Sequence, residues 1–282
     1  MSTFTTSMFE SIKGALTKNN ENTSNKVKDY LKCEVGNTYI VRLLPNIKDP
    51  AKTFFHYYSY GWNSTTTGQL VTAISPTTWN QRDPIAEERY RILRNGTDKE
   101  KEKALAIKRR ENWLVNVYVV NDPVNQDNNG KVKLLRFGRQ LHKILMDAIE
   151  GEESAELGPR IFDLSPKGCN LRIKVEKQGD YPTYVSSKFS TPKEIEGLDE
   201  DSYDKIYKSA FDLESYVTVK SYDELKELLD THYHGIEGND VETTEAVTSA
   251  PVPSVSVAKK VTPKATKTDD EDSSINELLK DL

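Results

Sequence analysis

The chain has 282 residues, 29% charged and 36% hydrophobic, with a mean hydropathy of −0.67. That length can bury one large core or two modest ones, and the absence of any run of about 18 apolar residues excludes a helical membrane span. The net charge of −5 is unevenly spread: from residue 237 on there are ten acids against five bases, whereas the preceding residues hold 34 of each.

The first twenty residues lack a basic stretch followed by an apolar core, so no secretory signal is expected. The two cysteines, Cys33 and Cys169, are far apart and read as reduced, partly buried thiols of a cytoplasmic protein. Residues 1–27 join a short amphipathic piece (9–16) to a polar NNENTSN run, and read as a mobile arm.

The folded body begins near residue 28. Residues 37–45 form a β run stopped by Pro45, residues 54–62 are dense in aromatics, and 69–74 is a further short strand. Residues 75–110 have few β-branched apolar residues and a helical pattern over 84–107, broken at Asn95-Gly96. They read as a partly helical subdomain inserted at about 60–110. Between Arg82 and Arg110 ten bases face six acids. A solvated helix face accounts for such a run, and so does a channel wall lined by Arg82, Arg89, Arg91 and Arg94.

Residues 108–139, KRRENWLVNVYVVNDPVNQDNNGKVKLLRFGR, are the most informative stretch. Residues 113–120 and 131–137 are two β runs around a polar turn, which predicts a long hairpin. Its open end gathers Lys108, Arg109, Arg110, Trp113, Arg136, Phe137 and Arg139. Cations on a groove floor hold phosphates, and aromatic faces stack on any base. Trp113 and Phe137 also fit as ordinary core residues with the arginines solvated around them.

Residues 140–149 form a helix with Leu141, Ile144, Leu145, Ala148 and Ile149 on one face; His142 reads as structural. Residues 168–178 alternate as a strand. The following GDYPTYVSSKF reads as a loop, in which Tyr181 and Tyr184 are as readily ligand contacts as core. A short helix is expected from Thr191-Pro192, another over 201–211, and a third opened by the capping box Ser221–Glu224 with Leu225, Leu228 and Leu229 inward. The folded part ends near Gly235. Residues 236–268 read as a disordered linker. Residues 269–282, DDEDSSINELLKDL, form an acidic tail whose Ile275, Leu278, Leu279 and Leu282 space helically, which suits docking on partners.

There is no GxxxxGK[ST], GxGxxG, HExxH or CxxC. His232 and His234 form only a two-ligand HxH, too few for a metal site. The sequence therefore points to a binding protein and not an enzyme. A scaffold protein whose basic face meets an acidic partner is the competing reading.

The segments YIVRLLP, NWLVNVYVVNDP, NGKVKLLRFGRQLHKI, DYPTYVSSKF, SYDELKELL and ELLKDL, in this order, resemble the single-stranded DNA-binding (helix-destabilising) proteins of T-even-type tailed bacteriophages. The resemblance spans residues 28–235 and then the tail. It implies an α+β fold: an OB-fold barrel core with an inserted subdomain and peripheral C-terminal helices. It implies cooperative, sequence-nonspecific binding of single-stranded DNA in replication, recombination and repair, in the host cytoplasm.

Lys108, Arg109 and Arg110 match the family's basic strip, Trp113 its cleft tryptophan, Arg136 its cleft arginine, and Tyr181 and Tyr184 its DNA-facing aromatics. Trp62, Trp79, Arg89 and Tyr90 are further expected contacts. Implied partners are single-stranded DNA, the protein itself along the strand or as a free homodimer, and replication and recombination proteins (polymerase, helicase loader, recombination mediator). The last group is read through Asp269, Asp270, Glu271, Asp272, Leu278, Leu279 and Leu282.

Family members hold zinc through one His and three Cys. Here those positions read Tyr60, Ser75, Asp83 and Ala86, so no zinc or other cofactor is expected. The insert is then held by packing around Trp79, Ile85, Tyr90 and Ile92. Where the family arm has a tight basic cluster, this one has only Lys13 and Lys18.

Overall fold

The computed structural model describes residues 26–236. Most of the arm (1–25), the linker beyond Ile236 and the whole tail, with its expected partner residues Asp269–Asp272, Leu278, Leu279 and Leu282, lie outside the described residues.

The strands are β1 (Thr38–Leu44), β2 (Phe54–Asn63), β3 (Leu70–Ile74), β4 (Arg110–Asn121), β5 (Val132–Phe137), β6 (Cys169–Lys174), β7 (Glu176–Gln178), β8 (Tyr181–Thr183) and β9 (Lys188–Pro192). The α-helices are α1 (Pro84–Asn95), α2 (Asp98–Lys103), α3 (Arg139–Glu150), α4 (Glu200–Lys208) and α5 (Tyr222–Leu229). The fold is mixed, helices on an antiparallel sheet. Two stretches differ in type from the expectation: residues 181–183, read as loop, form strand β8, and residues 188–192 form strand β9. Thr191-Pro192 ends strand β9 instead of opening a helix, because Pro192 lies at the sheet edge opposite Cys169 and gives up no needed ladder donor.

The expected hairpin is the spine. β4 is twelve residues long, and Trp113–Val119 is buried without a break. Such a run is apolar on both faces, as a strand covered on both sides must be. Its first half pairs with β2 and its second with β1, while β5 pairs along the other edge, Trp113 opposite Phe137 and Leu114 opposite Arg136. The remaining path runs β3-β2-β4-β1-β6-β9, and β7-β8 form a separate two-stranded ribbon. In the β4–β5 turn Asp122 accepts from the amides of Val124 and Asn125, and Gly130 takes φ +75, open to glycine at little cost.

Successive residues of a strand face opposite ways. Trp113, Val115, Val117 and Val119 enter the main core with Tyr39, Val41, Leu171, Ile173, Leu141 and Leu145. Leu114 and Leu134 turn to the other face, under Leu213 and Val217. A second apolar centre joins Tyr60, Trp62, Ile85 and Ile107 to Leu225 and Leu229, so α5 and the segment around α1 close over one another.

One buried cation ties the sheet to its loops. Arg42 of β1 has no solvent exposure; its Nε donates to Asn170 Oδ1 (2.8 Å), Nη1 to the carbonyls of Asp163 and Ser165, and Nη2 to that of Lys193 (2.8 Å). A buried guanidinium is tolerable only with its donors satisfied. Gly168 makes room for it: a Cβ there would lie 1.8 Å from the Asp163 carbonyl oxygen and 2.1 Å from Arg42 Nη1. Gly168→Ala is therefore expected to cost about 1–3 kcal/mol by overpacking and to lower Tm by several degrees in a thermal melt; an unchanged Tm would show that this corner yields freely.

Candidate nucleic-acid interface

The open end of the β4–β5 hairpin does bring cations together, but on two surfaces instead of one. Strand parity decides it. Arg110 and Asn112 share the face of Leu114, and so does Arg136, which pairs with Leu114. Glu111 and Trp113 face the other way.

On the first surface lies a cleft of about 390 Å³ lined by Arg110, Arg136 and Lys220 with Tyr57, Asn112 and Leu70 among its other walls. Arg136 also lines a second cleft, about 500 Å³, with Lys32, Tyr30, Cys33, Leu141 and Tyr184. Arg136 is a wall of both, which we read as two parts of one furrow, and among the described residues no carboxylate lines either part. Arg136 stands among three tyrosines. Burial pushes the phenols of Tyr30, Tyr57 and Tyr184 up, while the Arg136 charge opposes that rise in all three. The same burial, with the charge of Asp122, pushes the Cys33 thiol up to about 12, so it stays protonated and unreactive. Arg110 is aimed by an Nη2 hydrogen bond to the Gly61 carbonyl (3.1 Å). Cations beside the half-buried rings of Tyr30 and Tyr184, with no lining carboxylate among the described residues, suit a polyanion that carries flat bases.

The second surface is a row of rings. Arg109 lies over Tyr58 (4.1 Å to the centroid) and donates to Thr77 Oγ1. Tyr58 meets His56 (4.8 Å), His56 meets Trp113 (4.9 Å), and His142 stacks on Trp113 (4.0 Å, 18°). Glu111 joins the row to α3, bonding His56 Nε2 (2.8 Å) and Arg139 Nε (2.7 Å). Burial holds the His142 imidazole below its ordinary range, so it covers Trp113 as a neutral ring.

The expected site residues thus sort as follows. Arg110, Arg136 and Tyr184 reach the furrow. Arg109 and Arg139 stand on the ring surface, each already engaged. Trp113 is only 8% exposed, and Phe137 stacks behind it in the core, so neither offers a free face. Trp62 is 3% exposed beneath α5, its Nε1 donating to the His232 carbonyl. These three correct the expectation of open stacking rings: α3, through His142, Leu141 and Leu145, covers the first two, and the C-terminal helix covers the third. Trp79 packs on Phe55 and donates to Glu214 Oε1. Tyr90 is exposed on α1 beneath Arg94, and Arg89 beside it is half-buried with its Nε unpartnered among the described residues. Lys108 is half-buried just before β4. Tyr181 is 78% exposed on the β7–β8 ribbon. Tyr30, Tyr57, Lys32 and Lys220 were not foreseen. Tyr57 lies in the aromatic-dense run 54–62, but its place on the furrow face follows from the register, which sets it opposite Asn112; Lys220 carries no local signal.

Tyr60, Ser75 and Asp83 converge in the second apolar centre. Asp83 Oδ2 accepts from the hydroxyls of Tyr60 (2.8 Å) and Ser75, and Oδ1 accepts from the amides of Ile85 (3.0 Å) and Ala86 (3.2 Å), capping α1. Burial first, and the charge of Asp83 second, push the Tyr60 phenol up. Ile85 and Ile92 pack inward as expected, whereas Tyr90 points to solvent and Trp79 packs elsewhere. Among the described residues no three of His, Cys, Asp and Glu gather as a metal site, and no helix is long and apolar enough to cross a membrane.

Residues 35–233 match the family model described as gp32 DNA binding protein like. The chain belongs to this family. It is 25% identical over 214 residues to the single-stranded DNA-binding protein of Enterobacteria phage T4, covering 75% of this chain and 69% of that protein. It is 26% identical over 217 residues to the protein of the same name from phage T2, with the same coverage.

Asp83→Ala would remove the α1 cap and orphan two buried hydroxyls. A loss of roughly 2–4 kcal/mol is expected from a cap of about 1 and unsatisfied groups of about 1–3. Urea unfolding measures it, and a change under 1 kcal/mol would mean that apolar packing alone holds this centre.

Proposed function

We propose that this member of the gp32-like family binds single-stranded DNA without sequence preference during phage DNA replication, recombination and repair. It is a binding protein and not an enzyme. The observation that carries the reading is the furrow centred on Arg136: Arg110, Lys220 and Lys32 supply positive charge along its length, tyrosines supply walls, and among the described residues no carboxylate lines it. Phosphates take the cations and release counterions. A base rests on the half-buried Tyr184, a stacking contact worth roughly 1–3 kcal/mol, while Tyr57, itself buried, only backs the cleft. Both relatives named above are single-stranded DNA-binding proteins.

The antiparallel strands β1, β2, β4, β5 and β6 form an OB-fold core over residues 28–235, with an insert at about 60–110. Residues 1–27 serve cooperative contacts along the strand or in a free homodimer. The linker 236–268 carries the tail 269–282 to replication and recombination proteins inside the host cell. The insert holds no zinc: Tyr60, Ser75, Asp83 and Ala86 supply one carboxylate, two hydroxyls and no thiolate or imidazole, and the carboxylate is fully used by hydrogen bonds.

Affinity for oligo-dT should fall steeply between 50 and 200 mM salt, and duplex of equal length should bind more weakly at both. Equal affinity for the two forms would refute a helix-destabilising role. Tyr184→Leu should weaken oligo-dT binding by roughly 1–3 kcal/mol. Chelator treatment should leave Tm and affinity unchanged; a fall in either would reveal a structural metal.

A further inference from the structure

Four consecutive residues at the start of α3 each grip a different part of the molecule. Arg139 bonds Glu111, Leu141 lines the furrow, and His142 stacks on Trp113. The fourth, Gln140, reaches across the furrow's far wall. Its Oε1 accepts the backbone amide of Tyr184 (3.0 Å) and the hydroxyl of Thr183 (3.4 Å). Both donors converge on one atom, which fixes that atom as the amide oxygen.

The segment it holds is also anchored on the body at Ser187, whose Oγ accepts from the Lys174 amide (3.0 Å). The β7–β8 ribbon is a separate two-stranded sheet of three residues per strand, and such a ribbon has little stability of its own. It carries Tyr181, the most exposed aromatic among the described residues, and near it Val185 is also exposed. Tyr184 sits where the ribbon returns to the body. Its amide goes to Gln140, its carbonyl accepts from the Ser187 amide (2.9 Å), and its ring packs against the main core and lines the cleft with Arg136. Gln140 itself is exposed and does not line the furrow.

We propose that Gln140 is a positioning residue for DNA binding: it latches the ribbon to α3 and thereby sets the Tyr184 ring at the height of Arg136, so that a base meets the ring while its phosphate meets the guanidinium. The inference rests on the reading of the furrow as the single-stranded DNA site. Gln140 touches no nucleotide in this scheme. Its effect therefore passes through Tyr184 and leaves the phosphate contacts alone, which separates it from a cation of the furrow.

The test uses the full chain and labelled oligo-dT. Gln140→Leu should weaken binding about fivefold, leave the slope of log affinity against log salt unchanged, and speed hydrogen exchange at the Tyr184 amide. Gln140→Glu, which keeps an acceptor oxygen, should retain slow exchange there. In a Tyr184→Leu background Gln140→Leu should cost nothing further. Equal losses in both backgrounds would overturn the proposal, as would wild-type affinity in the single variant or a changed salt slope. If the unaltered chain failed to bind oligo-dT, the furrow reading would fall first and the latch with it. Wild-type binding together with an inert Gln140→Leu would sink the latch alone.

Discussion

A β-strand turns successive side chains to opposite faces, and on β4 this rule settles the chemistry of the whole hairpin end. Residues 109–113 read Arg-Arg-Glu-Asn-Trp. Parity sends Arg110 and Asn112 to the face that Arg136 shares, and Glu111 and Trp113 to the other. The only carboxylate of this stretch is thereby kept out of the furrow and spent on His56 and Arg139. Had the register slipped by one residue, Glu111 would face Arg136 and neutralise the centre of the site. The packing on both faces pins the register, since a slip would turn Asn116 and Tyr118 into the main core that Val115 and Val117 fill.

The second constraint is how the segment around α1 stays attached. Asp83 caps α1 and satisfies two buried hydroxyls at once. Leu225 and Leu229 of α5 then close over Tyr60, Trp62 and Ile85. Burial of the apolar side chains drives this closure, and the hydrogen bonds give it one geometry, because an unpaired carboxylate there would be costly. Tyr60, Ser75 and Asp83 thus form a polar hub inside an apolar centre. The furrow benefits indirectly: α1, β2 and the residues before β4 are held as one piece, so Arg110 and Tyr57 keep their spacing.

Much of this was legible in the residues. The hairpin spine, the broken helix at Asn95-Gly96, the α3 face and the capping box of α5 follow from turn chemistry, periodicity and caps. Pro192 misled, since a proline after threonine opens helices and also ends edge strands. Among site residues, Arg136 and Tyr184 stood out because cations and loop aromatics carry their own signal. Trp113 and Phe137 carried the same signal and are core, because composition says nothing of which face a strand buries. Parity along residues 109–113 held that information, and it became readable only once the partner strands were known. Tyr30, Lys32 and Lys220 reach the furrow through long-range packing that no local pattern encodes.

The account stands on the claim that the furrow face, not the ring face, meets the sugar-phosphate chain. The most direct measurement compares Arg136→Ala with Arg109→Ala in oligo-dT binding across a salt series. The account predicts that Arg136→Ala weakens binding severalfold and flattens the salt slope by about one contact, while Arg109→Ala changes affinity by less than about twofold. A full loss in Arg109→Ala with Arg136→Ala unaffected would contradict it and move the site to the opposite face of the sheet.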